Sequence, residues 1–269
     1  MMSVRSRIVL LALACVPLSA TQPSPETVAA FDRYVKAAED DMNAHRTFSD
    51  FLWVDRHPDK KSVIWLGQPA VVPIETLDHG QAIDVPGGMI QHWLGAVYLD
   101  KPTLDEVRKD ILNINAYKDF FKQQIIDSKL VKPNGYQFDV QLRLYKKQIS
   151  AVMLNVNEDC HYTLVDPSRV LIACRSTHIG EVAHPKNKKA WDKERPAEDE
   201  AGYLWRFNYY WRFAEADNGV YVEFEVISLG RDAGGRFNPS RVLTGFESYP
   251  RELTQGVVDG LLALFPHRR

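Results

Sequence analysis

YLWRFNYYWRFAEADNGVYVEFEVISL, residues 203–229, decides how this chain is read. Trp205, Phe207, Tyr209, Trp211 and Phe213 occupy every second position, so they share one face of a strand. Asn218-Gly219 offers the positive φ angles of a two-residue turn. Pairing Asp217 with Val220 sets Phe213 opposite Phe224 and Trp211 opposite Val226, and on the other face Arg212 opposite Glu225. One register satisfies both faces, which predicts a long hairpin with an aromatic side that needs a cover. Leu253, Val257, Leu261 and Leu264 supply it, forming the inner stripe of a terminal helix. Gly256 and Gly260 share that side and would let the helix backbone approach the sheet.

Upstream, residues 89–99 read as a first strand, and Thr103 with Glu106 forms a capping box for a helix striped by Leu104, Val107, Ile111 and Ile114. Residues 116–122 form a short second helix. Strands then follow at about 124–132, 136–145, 149–164 and 170–183, with the apolar alternation of an antiparallel sheet covered on one side. Phe138, Val140 and Leu142 share such a face. The charged stretch 185–200 reads as a solvated loop. Asn238-Pro239 is the helix-start pattern of the last helix, and Pro250 is expected to kink or divide it.

At 269 residues and 45% hydrophobic, the chain can bury one large core. Arg5 and Arg7 precede the apolar run 8–18, and Ser19-Ala20 offers small residues for cleavage before Thr21, the pattern of a secretory signal over 1–20. The run is too short to span a bilayer, and no other stretch is long enough. A secreted or periplasmic protein is expected; Ala12-Leu13-Ala14-Cys15 is a poor lipoprotein box, so acylation at Cys15 is the lesser expectation. Cleavage leaves 31 basic against 35 acidic residues, a net charge of −4. That balance, without a basic block, argues against nucleic-acid binding. Residues 21–87 read as an N-terminal extension: a helix striped by Val28, Phe31, Val35, Ala38 and Met42, then an irregular cap with strand-like pieces at 62–66 and 70–74.

Cys160 and Cys174 flank the turn Asp166-Pro167-Ser168-Arg169. A register centred on residue 167 makes them cross-strand neighbours, with Val156 opposite His178 and Tyr162 opposite Ile172. In an oxidising setting they form a disulfide or stay as two buried thiols; both readings fit the spacing.

The order of strand, two helices, antiparallel strands and long terminal helix resembles the START / Bet v 1-like (SRPBCC) helix-grip superfamily over residues 88–265. The closer resemblance, to an exported and uncharacterised bacterial branch, is carried by several short stretches. These are Gln91-His92-Trp93-Leu94-Gly95, Leu142-Arg143-Leu144, Gly202-Tyr203-Leu204-Trp205-Arg206, Tyr210-Trp211-Arg212, Ile227-Ser228-Leu229-Gly230-Arg231-Asp232 and Pro250-Arg251-Glu252. Ala233-Gly234-Gly235-Arg236 departs from the apolar, proline-containing continuation of related chains. The resemblance implies an α+β fold, a curved antiparallel sheet around the C-terminal helix in residues 88–269. It also implies a cavity for a hydrophobic, lipid-like ligand. Its walls would be Phe138, Val140, Leu142, Trp205, Trp211 and Phe224 on the sheet and Leu253, Val257 and Leu261 on the helix.

The chemistry that can be read is sparse. Gly230 to Gly235 lacks both the phosphate-loop ending and the GxGxxG spacing. No histidine pair has helical metal spacing, there is no CxxC, and adjacent Cys160 and His161 point to opposite faces, so neither metal nor cofactor is expected. His178 has the parity of the apolar face and reads as pocket-lining or structural before catalytic. Glu181, on the other parity, does not complete a relay with it. Arg206, Arg212 and Arg231 share the outer face of the hairpin, with Arg206 across from Arg231. Such a pair needs a carboxylate or a bound anion or partner between them. Three functions remain open: a hydrophobic-ligand carrier, a cyclase or aromatase-type enzyme with His178 in its cavity, and a pocketless interaction protein.

Overall fold

A computed structural model describes residues 22–47, 49–121, 123–147, 151–232 and 248–266. The proposed signal over 1–20, Cys15, Ala233-Gly234-Gly235-Arg236 and Asn238-Pro239 lie outside the described residues. In chain order the elements are α1 (Pro25–Ala44), α2 (Pro58–Trp65), β1 (Ala70–Pro73), β2 (Gly88–Asp100), α3 (Leu104–Ile111) and α4 (Tyr117–Phe120). There follow β3 (Ile125–Asn134), β4 (Gln137–Lys146), β5 (Val152–Asp166), β6 (Arg169–Glu181), β7 (Arg206–Ala216), β8 (Gly219–Arg231) and α5 (Tyr249–Leu264). The strands make one eight-stranded antiparallel sheet in the order β1-β2-β8-β7-β6-β5-β4-β3, with α5 packed on its inner face against β2 and β8. This is the helix-grip arrangement.

The β7–β8 hairpin forms through a different turn. Asp217 and Asn218 both take positive φ, 58° and 63°, and Ala216 pairs with Gly219. Gly219 belongs to the strand, where a Cβ would collide with the Leu99 carbonyl oxygen of β2. Close backbone approach is what this glycine serves. Partners therefore shift by two: Trp211 faces Phe224, Arg212 faces Glu223, and Arg206 faces Leu229 instead of Arg231. A shift of two preserves which face each side chain takes. Phe207, Tyr209, Trp211 and Phe213 are buried together on the inner face. Trp205 precedes the strand and packs with Phe31, Tyr34 and Val35 of α1 on the outer face, which removes it from the expected cavity wall.

A second irregularity lies between β5 and β6. Cys160 pairs with Cys174 and Tyr162 with Ile172, as the turn-centred register requires, but beyond Glu158–Ser176 the partners are Asn157–His178 and Val156–Ile179. Thr177 is the extra residue, and a bulge of one reverses the parity of everything after it. His178 therefore turns outward.

α5 meets the sheet at Gly95 of β2, where a Cβ would lie 2.7 Å from Val258 Cγ2 and 2.9 Å from Thr254 Cγ2. Gly256 and Gly260 do not serve this approach: added carbons there would strike Gln124 and Phe121, in the segment after α4. Pro250 occupies the first turn of α5, where its missing N–H costs nothing, and the run from Asn238 that it is expected to kink or divide lies outside the described residues. The start of α5 is tied down by Lys146 Nζ, 2.6 Å from Glu252 Oε1, and by Tyr249 Oη donating to the Gln124 carbonyl at 2.9 Å.

The 45–87 segment is more regular than expected. Residues 58–65 are helical, and β1 joins the sheet edge with Ala70 opposite Ala96. Together with α1 it covers the outer face over β2, β8 and β7. Val220 to Leu229 of β8 are consequently buried on both sides, whereas β4 and most of β5 keep the expected alternation with a single covered side.

Candidate functional site: the inner face and its polar interior

The inner face is built by strand alternation opposite a helical stripe. Phe138, Val140 and Leu142 of β4, Trp211 of β7, Phe224 of β8 and Leu253, Val257 and Leu261 of α5 are all buried in one cluster. Of the side chains expected around the ligand space, only Trp205 and His178 are missing from it. Trp205 lies under α1, and His178 lies on the outer face, its side chain 51% exposed and its Nε2 2.8 Å from Glu194 Oε2. The bulge at Thr177 removes His178 from the interior, and with it the polar group on which an enzymatic reading rested.

The interior has a different polar group. Glu158 shares the inner parity of Val156 and Cys160 and is 2% exposed. Its Oε2 accepts from Tyr209 Oη at 2.8 Å, while Oε1 has no partner. Burial pushes the carboxyl up to about 8 against the opposing effect of the Tyr209 hydrogen bond, so it is a neutral acid at pH 7. Burial, and secondarily Glu158, push the Tyr117 phenol well up; this phenol donates to the Ile111 carbonyl at 2.7 Å. Trp211 Nε1 is also buried without a partner. An unmatched acceptor and an unmatched donor inside an apolar core cost about 1–3 kcal/mol each. Sequence reading missed Glu158, although its place in the Val152–Tyr162 alternation was the signal.

Beside it, Cys160 and Cys174 form a disulfide with Cα atoms 4.1 Å apart. Glu158 and the two sulfurs lie within 4.8 Å of one another, but sulfurs bonded to each other offer no thiolate to a metal. Further along the same face, Phe138, Tyr162, Tyr136, Leu130, Leu112 and Arg108 line a mostly apolar pocket of about 290 Å³. Arg108 Nη1 donates to Tyr162 Oη at 3.2 Å at its rim. Four residues of β5 separate Tyr162 from Glu158, roughly 13 Å along the strand.

The arginine face resolves into a buried network. Arg212 Nη2 lies 2.5 Å from Glu225 Oε2 and 3.0 Å from Glu223 Oε2. Glu223 accepts the amides of Trp53 and Val54 at 3.0 and 2.9 Å. Glu225 Oε1 lies 2.6 Å from His92 Nε2, and His92 Nδ1 3.0 Å from Tyr34 Oη, which accepts the Thr76 amide at 3.0 Å. Burial would raise the Glu225 carboxyl, but Arg212 and His92 outweigh it and hold it low; for Glu223 burial prevails. Arg212 is therefore not free for an anion. Its partners are carboxylates, and the network fastens α1, the 53–54 turn and Thr76 to the sheet. Arg206 donates to the Trp205 carbonyl at 2.8 Å, and Arg231, half-buried at the end of β8, pairs across from Gly88.

No protein-family profile matches the chain, and no curated protein matches it. Among solved structures, the STAR-related lipid transfer protein from Xanthomonas axonopodis is similar at 14% identity and a TM-score of 0.45, covering 69% of this chain and 97% of that one. The Zhui aromatase/cyclase from Streptomyces sp. R1128 is similar at 15% and 0.45, covering 65% and 93%. The major latex-like protein 151 from Panax ginseng is similar at 7% and 0.39, covering 66% and 99%. Their likeness to this chain is one of fold, which the strand order and the helix laid across the sheet establish independently. Among the described residues, no helix is long and apolar enough to cross a membrane.

Proposed function

We propose that this protein is an exported carrier that holds a hydrophobic, lipid-like molecule between the inner sheet face and α5, and does no chemistry on it. The observation that carries the reading is the pair of unmatched groups, Glu158 Oε1 and Trp211 Nε1, inside an otherwise apolar interior. A ligand with a long apolar body and one neutral hydroxyl end could donate to the first and accept from the second. Its body would be buried against Val140 and Phe224 on the sheet and Leu253, Val257 and Leu261 on α5. A protonated Glu158 favours a neutral end over a carboxylate, because no compensating cation lies beside it among the described residues. The Cys160–Cys174 disulfide supports an oxidising compartment.

The test is fluorescence titration with cis-parinaric acid and the corresponding alcohol. Saturable uptake is expected, tighter for the alcohol, and weakened several-fold by Glu158→Ala together with Tyr209→Phe. No uptake of either probe, with a clean apo mass in native mass spectrometry, would overturn the reading. Export is checked separately by the N-terminus of the mature protein, expected at Thr21.

A second reading, an enzyme of the cyclase or aromatase kind, is favoured by the same residue. A carboxylic acid kept neutral near pH 7 in an apolar interior can protonate a bound carbonyl. Ligand recovered with unchanged mass after incubation supports the carrier; a dehydrated product supports the enzyme.

A further inference from the structure

Away from the interior beneath α5, two rows of residues, polar except for Gly180, cross the outer face of four strands. Lys129, Gln141, Asn157 and His178 are successive cross-strand partners from β3 to β6. Asp127, Arg143, Asn155 and Gly180 form the neighbouring row. With strands about 4.8 Å apart, each row runs roughly 14 Å across the sheet. A solvent-facing sheet surface is ordinarily polar, but this one is walled. The segment 185–195 folds back over it, with the Ala183 amide donating to the Lys193 carbonyl and the Arg195 amide to that of Glu181. Asn155 Nδ2 reaches up to the Trp191 carbonyl at 3.1 Å and to Glu194 Oε1 at 3.0 Å. At Gly180 a Cβ would collide with the Glu194 carboxylate, so glycine lets the wall close on the floor. The result is a groove of about 640 Å³.

Its side chains are fixed in advance. Arg143 is held by Asp127 at 3.1 Å, Asp192 at 2.8 Å and Asn155 at 2.8 Å, and His178 by Glu194 at 2.8 Å. Between them the side-chain amides of Gln141 and Asn157 remain uncommitted among the described residues, each offering donors and an acceptor in one plane. The lining carboxylates are already engaged, Asp127 and Asp192 by Arg143 and Glu194 by His178 and Asn155. Phosphate or carboxylate ligands would meet three carboxylates, and a cation would meet carboxylates that already have partners. Long, with its carboxylates already paired and with free amide groups along its floor, the groove suits a chain of hydroxyl groups. We infer that it binds a neutral oligosaccharide laid across β3–β6. This site is independent of the ligand space under α5.

Isothermal titration of the full chain with chitotetraose, cellotetraose and maltotetraose tests it. At least one is expected to bind saturably in the millimolar range or tighter. Gln141→Ala with Asn157→Ala should weaken it roughly tenfold, about 1.4 kcal/mol. Thermal stability and cis-parinaric uptake of the double variant should be unchanged, which separates loss of this site from loss of the fold or of the inner site. The inference is overturned if none of the three sugars binds saturably, or if the double variant binds as tightly as the parent.

Discussion

Arg212 shows what a single side chain contributes here. It lies between Glu223 and Glu225 with its side chain 4% exposed, so its removal leaves two buried carboxyl groups without the cation they share. Arg212→Met is expected to cost about 3–5 kcal/mol, measured by urea unfolding. Glu158 acts in the opposite sense. Its carboxyl is raised from the ordinary 4.5 to about 8 in the folded state, so the folded protein binds the proton more tightly than the unfolded chain. Its contribution is fully present below about pH 4.5 and is lost as the pH rises toward about 8. Unfolding free energy should therefore fall less over that interval in Glu158→Gln than in the parent, a difference read from denaturant titrations at pH 5 and pH 8. Neither role was visible at the level of residue type. Arg212 and Glu225 do lie on one face, as the sequence implies. What was not legible is that residues some 170 positions away, Trp53 and Val54, come to cover that face.

At the level of elements, periodicity carries far and fails at single-residue insertions. The aromatic row of β7 from Phe207 to Phe213, the α5 stripe of Leu253, Val257 and Leu261 and the capping box of α3 are local patterns and form where their spacing places them. Trp205 and Leu264, at the ends of the two rows, fall outside the inner cluster. The 160–174 pairing also follows from a turn-centred register. The bulge at Thr177 has no comparable signal, and it alone moves His178 from the interior to the groove. Gly219 misleads in a similar way, because a glycine demanded by a neighbouring strand looks like one demanded by a turn. The β5–β6 hairpin also supports a stability prediction. The Cys160–Cys174 disulfide spans 14 residues, so replacing both cysteines with alanine should lower unfolding free energy by about 3 kcal/mol. Thiol titration of the unreduced, unfolded parent should find neither cysteine free.

Across the whole molecule, the sheet is supported unequally. On the inner side it meets α3, α4 and α5, the last fixed at its start through Lys146–Glu252 and Tyr249. On the outer side, α1, the 53–54 turn and β1 with its flanking residues are joined to β2, β7 and β8 by the Arg212 network and by two apolar clusters. Hydrogen exchange should therefore find β7 and β8 opening only with global unfolding, whereas amides in the second half of α5 should exchange through a smaller opening that cis-parinaric acid slows. Equal protection of α5 and β8 without ligand would contradict this picture. An N-terminal segment that looks like an appendage is then a buttress. It braces the curved wall from behind, on the face opposite α5.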